Sequence, residues 1–174
     1  MKKIFLLPLL YLFGTLLISS CEKDDIGGTN GEKTAGEWYV TVVAVDEAGN
    51  VVYEDDELFG IGHFHLDTYN TVANDPNEMW IDDNTNFWET KGKISVDPNA
   101  LTFSGEDVQN EYYDSQFTVT NGKILLKAAT TPSGMPADSI VFNLNFSDDD
   151  YPKELGFSSY LVSGYRYTGF AGDE

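Results

Sequence analysis

Residues 36–45 read GEWYVTVVAV, and the alternation within this stretch decides the fold. On a strand, Trp38, Val40, Val42 and Ala44 share one face while Tyr39, Thr41, Val43 and Val45 share the other. The turn-prone DEAGN at 46–50 ends it. Further strand candidates lie at 51–53, 58–69, 78–82, 87–96, 101–104, 111–120, 123–129, 140–146 and 159–170. Their separators NDPN, DDNT, DPNA, TNGK, TPSGMP and SDDDYP are rich in turn residues. In FTVT-NG-KILL, Asn121-Gly122 supplies the two positive φ values of a type I′ turn, so a hairpin is expected there. Helical signals are nearly absent. About eight to ten short strands joined by tight turns predict an all-β, antiparallel up-and-down sheet, closed into a barrel or folded into a sandwich to protect its edges.

At the far end of the chain stands SGYRYTGF, residues 163–170, with Arg166, the single arginine of 174 residues. The Gly36-Glu37-Trp38 triplet with Arg166 resembles the lipocalin-like (calycin) barrels, in which a basic side chain of the last strand covers a first-strand tryptophan. That resemblance implies a structural clasp between Trp38 and Arg166. First and last strands are neighbours in a closed up-and-down barrel, so the two can meet, and a guanidinium on an indole face makes a cation–π contact. Arginine suits this better than lysine because it is planar and less strongly hydrated. The alternative is a surface arginine paired with one of the 29 acidic residues.

Ahead of this domain the sequence opens MKKIFLLPLLYLFGTLLISS. A basic start, an apolar run and small residues before Cys21 make residues 1–20 a secretory signal. Cys21 is the only cysteine, which excludes an intramolecular disulfide and any multi-cysteine metal site. LLISSC resembles the bacterial lipobox, which implies acylation at Cys21 and a lipid anchor in the bacterial membrane. The following EKDD resembles the export signal of Bacteroidetes surface lipoproteins, implying an outer-membrane, cell-surface location; a solvated charged linker is the other reading. Residues 21–35 are polar and aperiodic, a lipidated flexible tether with a reach of about 20 Å. Residues 36–174 then form one barrel domain.

Charge narrows the partners. The chain carries 10 basic and 29 acidic residues, and loss of the leader takes Lys2 and Lys3 with it. Such a surface repels a duplex, so nucleic acid is not an expected partner. The acidic clusters near 46–47, 54–57, 82–83 and 148–150 are read as solvated loops, and none has the spacing of a twelve-residue calcium loop.

Reactive side chains are few. In GHFHLDTY, His63, His65 and Asp67 fall on one side of a strand and Phe64 and Leu66 on the other. Two imidazoles and a carboxylate so spaced could ligate a metal or line a polar pocket, but solvent-facing histidines on a half-solvated strand give the same pattern, and no metal is assigned. Ser104, Ser133 and Ser163 each precede glycine, yet no nucleophile elbow surrounds them. With no phosphate-cradling loop either, neither a catalytic residue nor a cofactor is assigned.

AGEWYVTVVAVDEAGNVVY at the front and YLVSGYRYTGF at the back are similar to a family of Bacteroidetes lipoproteins named "lipid-binding putative hydrolase", with lipocalin-like barrels. The resemblance implies a membrane-anchored barrel that binds a lipid or other small apolar ligand. The alternative is a surface module for glycans or envelope proteins, with a filled barrel and aromatic residues such as Trp80 and Trp88 at its loop tips.

Overall fold

The computed structural model describes residues 28–174; the leader, Cys21 and the start of the tether lie outside the described residues. Nine strands follow one another: β1 (Gly36–Val45), β2 (Val51–Tyr53), β3 (Phe64–Asn70), β4 (Glu78–Asp82), β5 (Lys91–Asp97), β6 (Thr102–Gln109), β7 (Gln116–Thr130), β8 (Pro136–Phe146) and β9 (Ser159–Arg166). Two short helices interrupt them, α1 (Asp55–Leu58) and α2 (Tyr151–Leu155). Every pairing is antiparallel, and β9 returns to pair with β1. The result is a closed eight-stranded lipocalin-like barrel, with β2 as an extra strand. β1 makes this possible by serving three partners: residues 36–40 pair with β3, Ala44 and Val45 with β2, and the opposite edge from Trp38 to Val45 with β9.

The alternation expected of residues 36–45 appears as burial. Trp38, Val40, Val42 and Ala44 are all buried in the barrel, and Phe64, Leu66, Met79, Ile81, Phe117, Phe142, Tyr160 and Val162 meet them there. At roughly 25 cal/mol per Å² of apolar surface removed from water, such side chains supply about 1.5–3 kcal/mol each. Close closure also requires Gly164. A Cβ at that position would collide with the Tyr39 carbonyl across the β1–β9 seam.

Arg166 sits on this seam. Its guanidinium carbon lies 4.4 Å from the centroid of the Trp38 ring, Nη1 donates to the Ala35 carbonyl at 2.8 Å, and Nε faces Asp138 Oδ2 at 3.3 Å. Beneath it, Trp38 Nε1 donates to Thr68 Oγ1 at 2.9 Å, which in turn donates to the Thr34 carbonyl at 2.7 Å. Both faces of the reading are present: the arginine covers the indole and also pairs with a carboxylate. Just ahead of β1, residues 30–34 form turns, Asn30 donates two hydrogen bonds to Asn74, and Thr34 is buried.

Three expectations are corrected. Asn121-Gly122 is no hairpin, because β7 runs straight through it and pairs with β6 and β8 on both sides. Asn121 does take a positive φ of 57°, but as a β-bulge opposite β8, and Gly122 lies flat against Phe103, with no room for a Cβ. The strands expected at 58–69 and 87–96 begin later, at Phe64 and Lys91, because α1 and a compact loop occupy the preceding residues. The acidic pair Asp82-Asp83 is buried and not solvated, and residues 54–57 open α1 with a capping box between Glu54 and Glu57.

Arg166→Ala should cost about 1–3 kcal/mol in denaturant unfolding, since it strips the indole of its cover, removes the ion pair to Asp138 and takes the guanidinium donor from the Ala35 carbonyl. A change within about 0.5 kcal/mol would reduce the arginine to an ordinary surface residue.

Candidate functional site at the aromatic end of the barrel

The barrel end away from Trp38 is closed by the loop between β4 and β5, residues 83–90. Four of its residues have left-handed backbones without being glycine: Asn84 (φ 53°), Thr85 (63°), Trp88 (59°) and Glu89 (43°). Each costs roughly 1–2 kcal/mol for a side chain with a Cβ, less for asparagine. The loop holds because Asp83 sits inside it. Asp83 Oδ1 accepts from the Thr85 and Thr90 amides at 2.9 and 2.8 Å, and Oδ2 accepts from the Phe87 amide at 2.8 Å. The Asp83 amide also donates to the Thr90 carbonyl at 2.9 Å.

This wrapping drives two aromatic rings in different directions. Phe87, buried, turns into the barrel against Phe64 and Tyr160, at centroid separations of 5.9 and 5.4 Å. Trp88 stays half-buried at the rim and stacks on Phe146 at 5.0 Å and 12°. From above, Phe59 at the end of α1 covers both, 5.3 Å from Phe87 and 6.2 Å from Trp88. Tyr151, exposed on α2, meets Phe59 and Trp88 at 6.2 Å each. Tyr160 anchors the group through its hydroxyl, which donates to Asp149 Oδ2 at 2.6 Å; burial and that bond push its pKa up.

Below Phe87 lies a cavity of about 10 Å³ walled by Phe64, Leu66, Ile81, Phe142, Leu144 and Val162. That is about one water's worth of space. Beneath Phe87 the apolar interior is therefore nearly filled, and Phe87 is the loop side chain that closes over it.

The candidates expected from sequence lie elsewhere. His65 and Asp67 project from the outer face of β3, and His63 immediately precedes it. His63 stacks on Tyr39 at 4.8 Å, and His65 meets Tyr167 edge-on at 4.6 Å with Nδ1 2.9 Å from Glu37 Oε1. Asp67 accepts from Asn84 at 3.1 Å, and burial pushes its pKa up. The two histidines share a tyrosine ledge, while Asp67 turns toward the next loop. Among the described residues, no three of His, Cys, Asp or Glu are grouped to hold a metal ion. Cys21 lies outside the described residues.

Trp80 and Trp88, placed at loop tips by the surface-module alternative, are both half-buried: Trp80 belongs to β4, and Trp88 does lie on the loop at residues 83–90 but packs at the rim. Trp80 lies on the outer wall beside Tyr69 at 6.4 Å, with Lys91 and Lys93 over its ring. Nearby, Asp82 binds Lys91 Nζ at 2.8 Å and accepts from the Tyr112 hydroxyl at 2.7 Å. Partial burial opposes ionisation of Asp82, yet these partners hold its pKa below the ordinary value.

Asp83 goes the other way. Burial raises its pKa to about 7 against the pull of its three amide donors. The folded chain therefore keeps this proton to near neutrality, whereas the unfolded chain releases it near the ordinary aspartate value of about 3.9. Between those limits the folded state binds more protons, so the Asp83 contribution favours folding at low pH and fades as the pH rises through about 7. Melting curves of the wild type and Asp83→Asn from pH 4 to 8 should show this slope in the wild type alone; parallel profiles would remove Asp83 as its source.

No curated protein matches this chain. A family model described as "Lipid-binding putative hydrolase" matches residues 23–171, nearly the whole length. With the closed calycin-like barrel already in view, the extent of that match makes the conclusion direct: the chain belongs to the lipid-binding putative hydrolase family.

Proposed function

We propose that this protein is an exported, lipid-anchored binding module that takes a lipid or other small apolar ligand at the aromatic end of its barrel. One observation carries the reading: the apolar interior is topped by a single aromatic side chain on a strained loop, under a cover of half-exposed rings. Binding sites of this type are concave and mostly apolar, with few polar groups, and barrel mouths are a common place for them. The family description supports the ligand class. Acylation at Cys21 would hold the barrel at the outer membrane through the segment that enters β1 at the Trp38 end, which leaves the aromatic mouth at the opposite end of the barrel.

A second reading has its own support. Tyr39, Tyr165 and Tyr167 with His63 and His65 form an aromatic ledge on the outer face of β1, β3 and β9. A filled barrel with such a ledge suits a glycan or an envelope protein.

Native mass spectrometry of the domain from its own host, with organic extraction, tests the first reading. A stoichiometric acyl lipid is expected; a bare protein that also takes up no added acyl lipid contradicts it and favours the ledge. The anchor is tested separately. Cys21→Ala should move the protein from the membrane pellet to the soluble fraction, since no other acyl attachment is expected. Retention of the variant in the pellet would contradict anchoring through Cys21.

A further inference from the structure

We infer that the loop at residues 83–90 is a displaceable plug, and that the Phe87 side chain stands where the end of a single acyl chain binds. The inference rests on the ligand class proposed above and adds the site, the route and the width of the ligand.

The socket argues for it first. Outside the loop, the residues around the small cavity are all aliphatic or aromatic, and the two polar ones, Asp83 and Thr90, belong to the loop itself with Phe87. Their polar atoms are committed within the loop: Asp83 to three amides, and Thr90 Oγ1 to the Phe87 carbonyl at 3.1 Å. When the loop swings out it takes its polar groups along and leaves an apolar socket. A void with such walls stays dry and accepts apolar guests.

The loop is also built to leave. Its four left-handed residues store strain that opening relieves, while the bonds to Asp83 hold it shut. Opening trades this strain against the Asp83 bonds and the burial of Phe87, and a ligand that binds the open state better shifts the balance toward it. The cover is fixed separately: Phe59 is followed by Gly60 and Gly62 with φ of 64° and 69°, and Asp55 accepts from the amides of Phe59, Gly60, Ile61 and Gly62, so the cover stays in place while the loop at residues 83–90 moves beneath it. The width of the socket follows from its present occupant: one phenyl ring admits one methylene chain and rejects a fused sterol skeleton.

The probe is a fluorescent 16-carbon fatty acid, titrated into wild type and Phe87→Ala, with hydrogen exchange recorded on the wild type. Phe87→Ala should bind roughly tenfold or more tightly, because the closed state no longer competes for the socket. Because that variant leaves a large cavity, the wild-type measurement stands beside it. On saturation with the probe, the Phe87 and Thr90 amides should lose protection while those of β1 and β9 keep it. A sterol probe should gain nothing from the substitution. If the fatty acid binds wild type with those two amides still protected and no gain in Phe87→Ala, the plug is rejected and the ligand sits elsewhere. If neither protein takes up the fatty acid, the plug and the lipid-binding reading fall together.

Discussion

The pairing of β1 with β9 is the constraint on which the rest of this structure depends. It joins residues far apart in the chain, from Trp38 opposite Arg166 to Val45 opposite Ser159. Without it the other pairings form an open sheet with two bare edges, and the inward faces have nothing to enclose. The seam is secured by side chains as well as backbone. Gly164 lets the strands approach, the arginine lies on the indole, and Thr68 ties that indole back to the segment preceding β1. One end of the barrel is in this way held by polar and cation–π contacts.

The other end is organised on different terms. There the closing element is a loop whose backbone is unfavourable and whose Asp83 carboxylate is buried. Asp83 compensates the strain with three hydrogen bonds, and burial in turn raises its own pKa. A barrel rigid at the Trp38 end and conditionally closed at the Phe87 end is what a binding module needs: the scaffold keeps its shape while the mouth changes. The rings of Phe59, Trp88 and Tyr151 extend the apolar surface outward from that mouth.

Much of the scaffold was legible from local pattern. The period of two in residues 36–45 predicts the buried face, and the lone arginine near the C-terminus has a reason to meet Trp38 once closure is supposed. What local pattern misses is context. Asn121-Gly122 has the chemistry of a tight turn, but a left-handed asparagine serves a bulge equally well, and only the partners on both sides of β7 decide between them. Asp82-Asp83 looks like two solvated acids, because nothing in their sequence neighbourhood shows that a loop will wrap around the second. Phe87 and Phe59 are likewise ordinary core residues until the loops that carry them are placed. His63, His65 and Asp67 drew notice as reactive types on one face, and that face is the outer wall.

The central claim is that apolar ligands enter at the aromatic end. Titrating an isotopically labelled domain with a long-chain fatty acid and following amide and aromatic resonances addresses it most directly. The account predicts progressive shifts concentrated at Phe59, Phe87, Trp88, Phe146 and Tyr151, with the Trp38 indole unmoved. Shifts confined to Tyr39, Tyr165 and Tyr167 on the outer wall, with the Phe87 loop silent, would contradict it.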